Sequence, residues 1–547
     1  MTRALRILLA SLVVVALFPA VARSHEVSCA PPGTHAGEWP MFGRDVASSR
    51  SQSLSHGIDL LGALTLQPTW TFDANRWTHV SGNEITGYPV VADGCVYVGS
   101  STGNDAGGAH LPGWVFALNA NNGDVVWQRQ VGGGVYSTLA VDAGVVYAFV
   151  SRISSPSVIA LDAATGDVLW ETVVDLQFGA DAVSSPIVYD GMVWVGVSGT
   201  AAEGSPDDRA GFQGSGVLLA AQSLVAPAFV PIDADAPSGT RTFRPGQIIR
   251  KAWTIPTSEW SDGYAGGAQW GIIAVDPVTG YGYVGTGNPF NYDAEHAHTN
   301  AVLKLDLDRD RVTFGQYVAS YKGDIEQVVQ EVSDVVPCDD IEEIGPLNAA
   351  GFECANLDLD FGATPNILRD PSGRTVLVVG QKSGVVHVID TATMGGIART
   401  RLGIPSAVGG MVGSGATDGT SVYGSHTLGG YLYSVSAAGT PVWVSPVGDG
   451  VHWGNPVAHA NGMLFTVDLK GFLDVYDAVT GTPILHRPMQ LGADAATLTS
   501  PPLTWGGVTI ARNTVYASVG VGLTSAGLPS VPGGFVIAYR PMSIPRR

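Results

Sequence analysis

The stretch Tyr-Val-Gly-Thr-Gly-Asn-Pro-Phe-Asn-Tyr-Asp, residues 283–293, closes an alternating apolar run. A turn at this place would use the Gly and Pro residues for their backbone geometry. It has no need of Asn288, whose side-chain carbonyl is a hard oxygen donor for a metal or an acceptor toward a cofactor. Just downstream, His296 and His298 are a pair two residues apart on a loop, an arrangement most simply read as solvated. No Gly-x-Gly-x-x-Gly stands between a strand and a helix, and helix-forming stretches are few, so no nucleotide-binding domain is expected. There is no Cys-x-x-Cys-His, so this chain attaches no c-type haem.

The elements that must position such a loop announce themselves as a repeat. "VFALNANNGDVVW" ends at Trp127 and "VIALDAATGDVLW" at Trp170, and worn copies follow through "FLDVYDAVTGTPI". Each copy is an alternating apolar strand, an Asp-x-x-Thr-Gly-type turn and a second strand closing on an aromatic or apolar residue. Sheets of four strands at intervals of roughly 40–50 residues are propeller blades. Eight groups centre on 90–131, 139–174, 186–253, 270–319, 363–402, 408–447, 455–489 and 497–540. The expected fold is all-β, an eight-bladed propeller. Its last blade lacks an outer strand, and "LQPTWTFD" (66–73) is a strand without a blade, so pairing the two would close the ring. Long insertions are expected at 199–250 and 320–361, flanking the Asn288 loop.

The first residues combine Arg3 and Arg6, an apolar run from Ile7 to Ala20 and a small-residue site at Ala20-Val21-Ala22. That is the layout of a secretory signal peptide, too short for a membrane span. The expected organisation is a signal peptide (1–22), an extension (23–65) and the propeller (66–547). The protein is expected to be secreted, periplasmic or extracellular. The formal charge of −20 argues against nucleic acid and anionic lipid as partners. Export permits disulfides among Cys29, Cys95, Cys338 and Cys354. Cys338 with Cys354 is the simplest bridge and Cys29 with Cys95 is possible, three connectivities being open.

The Ala-x-Asp-x-x-Thr-Gly-x-x-x-Trp repeat resembles that of the quinoprotein dehydrogenases, whose cofactor is pyrroloquinoline quinone (PQQ), with tryptophans docking one blade to the next. Non-catalytic relatives such as the outer-membrane assembly lipoprotein share the repeat. "WPMFGRDVASSRSQ" (39–52) looks like the N-terminal phrase of the polyvinyl-alcohol-dehydrogenase-like branch. The resemblance implies roles for particular residues. In "AQWGIIAVDPVTGYGYVGTGNPFN", Trp270 matches the indole beneath the quinone and Asn288, 18 residues on, the metal-binding Asn. "ANLDLDFGATPNIL" resembles the catalytic segment. Measured back from Pro365, Asp358 takes the place of the base, with Leu357 where the family usually has Trp, and Asp360 follows on the same side. Lys382, in "VLVVGQKSGVVHVID", falls where a cation reaches the quinone carbonyls, and Trp453 in "GDGVHWGNP" borders the cofactor. "VGVSGTAAEGSPDDR" offers Ser198 to the cofactor and Glu203 to the metal, with Asp207 or Asp208 as alternatives.

Ser137-Thr138 stand where the alcohol dehydrogenases of this family carry adjacent cysteines, and Ala143 where an Arg follows. That sets the chain apart from typical methanol and ethanol dehydrogenases. The function so implied is oxidation of a hydroxyl-bearing substrate (alcohol, polyol or polymer alcohol) by hydride transfer to PQQ. The metal would be Ca²⁺, or a lanthanide where the second carboxylate takes part, with an external acceptor such as a cytochrome. The alternative is a non-catalytic propeller that binds protein partners, similar to the outer-membrane assembly factors.

Overall fold

In the computed structural model, the structure describes residues 27–31, 37–104, 110–203, 211–291, 294–323, 359–403, 410–427, 430–447, 456–468, 471–489, 506–520 and 533–542. The expected signal peptide, Asp207, Asp208, Cys338, Cys354, Asp358 and Trp453 lie outside these residues.

The described residues form eight four-stranded antiparallel sheets and one two-stranded ribbon. Blade 1 is typical: Val90–Ala92, Cys95–Ser100, Gly113–Asn119 and Val125–Val131, in that spatial order. The last sheet takes Val508–Ala511, Thr514–Val519 and Phe535–Pro541 from the C-terminal part, and Leu66–Asp73 as its outermost strand. Leu66 faces Pro541 and Asp73 faces Phe535 across that seam. The stretch 199–250 is more than an insertion. It contains the third strand of blade 3, Ser215–Ala220, and then the ribbon Leu224–Pro227/Thr240–Phe243 before the fourth strand, Ile248–Trp253.

The repeat phrase has a mechanical reason. Asp162 Oδ1 accepts the backbone N–H of Ala164 and Thr165, both at 2.9 Å, and Gly166 supplies φ +72° to finish the turn. The turn presents a flat backbone surface on which Trp127 of the preceding blade lies. The Trp127 indole N–H donates to Ala163 O at 2.9 Å, and a Cβ on Gly166 would come within 2.6 Å of its ring. Trp443 repeats the arrangement on Ala478 and Gly481. Gly in the turn and Trp one blade earlier are therefore two halves of one contact.

The phrase at 39–52 turns out to be a plug. Its backbone bonds to the first, innermost strands near their turns to the second strands. Trp39 N–H donates to Val91 O, Val141 N–H to Pro40 O and Val275 N–H to Val46 O. Thr417 N–H donates to Ser49 O, and His459 N–H to Arg50 O. Asn366 adds a side-chain bond to Ser48 O at 3.1 Å. Blades 1, 2, 4, 5, 6 and 7 are thus tied at one end of the ring, with Arg50 reaching Val508 of blade 8. The Cys29–Cys95 disulfide fastens the preceding segment to blade 1.

Candidate functional site

Strands alternate in direction, so the chain entering each first strand and the loop leaving each second strand meet at the same edge of a blade. Trp270 and Asp360 precede the first strands of blades 4 and 5. Ser198, Asn288 and Lys382 follow second strands of blades 3, 4 and 5. All five therefore share the face opposite the plug.

At its centre three side chains touch. The Trp270 indole N–H donates to Asp360 Oδ2 at 2.7 Å, and Lys382 Nζ donates to the same oxygen at 3.2 Å. The ammonium lies 5.3 Å from the Trp270 ring centroid, and Lys382 N–H donates to Asp360 O at 3.0 Å. Asp360 is 4% exposed and Lys382 5%, while Trp270 keeps part of its surface open. Asp360 Oδ1 is buried and has no hydrogen-bond partner among the described residues. Gly362 lets the indole lie flat, since a Cβ there would stand 1.9 Å from the Trp270 ring.

A polar frame holds this trio. Gln381 donates to Leu359 O at 2.7 Å and faces His387 Nε2 at 2.9 Å, and His387 Nδ1 meets Tyr321 OH at 3.0 Å. Burial pushes the His387 imidazole down to about 3, so it is neutral near pH 7.

Asn288 is 2% exposed and sits beside the trio through its backbone. Gly287 N–H donates to Ala268 O at 2.8 Å, two residues before Trp270, and Gly267 N–H donates to Asn288 O at 3.0 Å. Glu203 ends the short helix Thr200–Glu203. Gly199, just before that helix, packs on Phe212, whose ring lies 5.5 Å from that of Phe290 in the Asn288 loop. Ser198 is buried, with its hydroxyl donating to Asp181 O at 3.1 Å.

The histidine pair expected to be solvated resolves differently. His296 and His298 are hydrogen-bonded struts, the first to Glu259 at 3.0 Å and the second to Thr254 O at 2.7 Å. Ala143 sits in the turn after Ala140–Asp142, at the plug end of its strand, so it does not face the trio.

Sequence reasoning missed a second polar cluster on the same face. Asp181 accepts from Ser151, from Ala182 N–H and from His110 Nε2 at 3.1 Å. His110 Nδ1 meets Asn104 at 2.6 Å and Tyr136 OH at 3.2 Å. Burial and the Asp181 and Glu84 carboxylates push the Tyr136 phenol up to about 12, with Ser101 opposing. The one signal in the sequence is a serine after the second strand of blades 1, 2 and 3: Ser101, Ser151 and Ser198, each bridged to the incoming chain.

Residues 111–208 match the family model described as outer membrane protein assembly factor BamB. A polyvinylalcohol dehydrogenase of a Pseudomonas species is 26% identical over 397 residues, covering 71% of this chain and 54% of that protein. Its counterpart from a Sphingopyxis strain is 26% identical over 458 residues, covering 77% and 65%. The chain thus spans little more than half to about two thirds of these relatives. Among solved structures, quinohemoprotein alcohol dehydrogenase from Comamonas testosteroni superposes with a TM-score of 0.64 at 16% identity, over 93% of this chain and 82% of that one. That likeness is one of fold. In sequence, the chain is similar to these polyvinylalcohol dehydrogenases at 26% identity.

Proposed function

We propose that the protein is a PQQ-dependent oxidoreductase that oxidises a hydroxyl-bearing substrate. The observation that carries this reading is the Trp270–Asp360–Lys382 trio: a half-open indole face beside a buried carboxylate with one oxygen held and one available. An unmade hydrogen bond on a buried carboxylate is costly in a low-dielectric site, so the open oxygen of Asp360 beside the indole is a place where a ligand would be stabilised.

The donor set fits PQQ and a hard cation. Trp270 offers a flat apolar surface for a planar quinone. The Asn288 amide with the Glu203 and Asp360 carboxylates, and Asp358 beside them in sequence, are the oxygen ligands that Ca²⁺ or a lanthanide takes. When bound, PQQ supplies the two-electron acceptor. The protein's own work is to fix geometry and move a proton. Trp270 and Lys382 hold Asp360 by Oδ2, which leaves Oδ1 as the oxygen to take the substrate hydroxyl proton. Lys382 adds a fixed positive charge where negative charge develops. Ser198 would border the cofactor, and Trp453, outside the described residues, is assigned the same role on sequence alone.

The acidic composition suits a basic electron acceptor such as a cytochrome. The Cys29–Cys95 disulfide supports export to an oxidising compartment, and no helix among the described residues is long and apolar enough to cross a membrane.

Quenching of tryptophan fluorescence by PQQ, with and without Ca²⁺, tests the proposal. Saturable, Ca²⁺-dependent quenching that Asn288→Ala abolishes is the expected result; absence of binding under both conditions overturns it. The assembly-factor match over residues 111–208 favours a second reading, a protein-binding scaffold. That segment contains none of Trp270, Asn288, Asp360 or Lys382, and a scaffold would keep its partner in Asn288→Ala.

A further inference from the structure

The loop that follows Asn288 is tied down more heavily than a connection needs to be. Lys322, the last residue of the outer strand Tyr317–Lys322, donates through Nζ to Glu295 Oε1 at 2.8 Å, His296 O at 2.8 Å and Thr299 O at 3.1 Å. Those three oxygens form a small cage built by one stretch of five residues, and an ammonium fills it. A fourth oxygen of the same loop, Asn300 Oδ1, is buried with no hydrogen-bond partner among the described residues.

Asn300 adopts φ +47°, a left-handed conformation that costs a non-glycine residue free energy, so the surroundings must impose it. The strained residue is coupled directly to the candidate metal loop: Asn300 N–H donates to Gly287 O at 2.8 Å, one residue before Asn288. Thr286, on the other side of Gly287, donates to His298 O at 2.6 Å. Beyond Lys322, the loop is braced by His296 on Glu259, by His298 on Thr254 O and by His298 N–H on His296 Nδ1 at 3.0 Å. Lys322 gathers three oxygens of this loop around a point charge.

We propose that Lys322 is a positioning residue for the candidate cation site: its ammonium gathers the oxygens of Glu295, His296 and Thr299, holds residues 295–299 around it, and through Asn300 and Gly287 sets the position of Asn288. The proposal rests on Asn288 being a metal ligand. It explains why the His pair of this loop serves as scaffolding. An outer partner that orients a ligand typically changes metal affinity on the order of 10- to 100-fold when removed.

The test is metal affinity of the full chain with PQQ added, read by terbium luminescence sensitised by tryptophan and displaced with Ca²⁺, for wild type, Lys322→Met, Lys322→Arg and Lys322→Ala. Lys322→Met is expected to weaken binding by about 10- to 100-fold, and Lys322→Arg to recover most of it. Ammonium chloride, but not tetramethylammonium chloride at equal ionic strength, is expected to rescue Lys322→Ala by refilling the cage. Thermal melting of each variant identifies any that does not fold, and Glu295→Gln, which removes one leg of the cage, then gives the same comparison in milder form. Unchanged affinity in Lys322→Met, or equal weakening in Lys322→Met and Lys322→Arg, overturns the proposal. A wild type that binds no ion overturns the reading of Asn288 itself, and shows it before any variant is compared.

Discussion

Two buried charges, Arg50 and Asp360, sit at opposite ends of the same ring and are treated in opposite ways. Arg50, 0% exposed, donates to Phe42 O at 2.6 Å, Val457 O at 2.9 Å and Val508 O at 3.1 Å. Its guanidinium carbon stands 4.9–5.4 Å from the ring centroids of Trp39, Phe42 and Tyr88. Burial lowers it to about 10, which still leaves it charged at neutral pH. Asp360 is almost as deep, yet both its donors converge on one oxygen. A charge retained for architecture is saturated by its surroundings; one retained for chemistry is oriented by half of its bonds and left open by the other half.

That contrast breaks most sharply at Asp360. Asp360→Asn keeps the shape and removes the proton acceptor, so turnover with a dye acceptor should fall by about 10²- to 10⁴-fold, the usual weight of a general base. The melting temperature should hold or rise. If Asp360→Asn retains turnover while Asp358→Asn loses it, the base is Asp358, and Asp360 only frames the indole.

Arg50→Met is the converse. It removes a donor from three buried carbonyls, of which Phe42 O keeps the Trp39 indole N–H at 3.2 Å. The other two cost about 1–3 kcal/mol each, so a loss of about 2 kcal/mol or more in unfolding free energy is expected. Substrate KM in the surviving folded fraction should not move. A change in KM with little change in stability would mean that the plug reaches the site, and that the two ends are not independent.

The contrast also explains what could be read in advance. The blades were legible because each Asp-x-x-Thr-Gly turn and each docking Trp repeats a local geometry, as Trp127 on Gly166 shows. Trp270, Asn288 and Lys382 could be named in advance because each lies in a phrase that resembles the family's, and the structure brings Trp270 and Lys382 together on Asp360. The choice between Asp358 and Asp360 was not, since two carboxylates two apart on extended chain point to one side and only tertiary position separates them. Nor was the role of Arg50: two of its three carbonyl partners, Val457 and Val508, lie hundreds of residues away, and the phrase containing it marked only a resemblance. The His110–Asp181 cluster was hidden for the same reason, being assembled from loops of three blades.

The smallest effect at neutral pH comes from the frame behind Lys382. His387 is held neutral by burial, its value lowered from the ordinary 6.5 to about 3. A depressed histidine favours the folded state fully above its unfolded value. That contribution is lost as pH falls from about 6.5 toward 3, at about 1.4 kcal/mol per pH unit, because the unfolded chain takes up the proton first. Denaturant unfolding between pH 7 and 4 should show this slope, and His387→Asn, which cannot protonate, should flatten it. His459 at the plug end, bonded to Ser51 at 2.7 Å, is lowered by burial as well, so both ends of the ring hold an acid-labile histidine. Hydrogen exchange at pH 5 orders them. Earlier exchange in 375–390 than in 456–468 is expected, because His387 lies in a frame left partly open for chemistry, whereas His459 is clamped by the plug on both sides of its backbone. The reverse order would make the plug, and not the site, the weaker end of the ring.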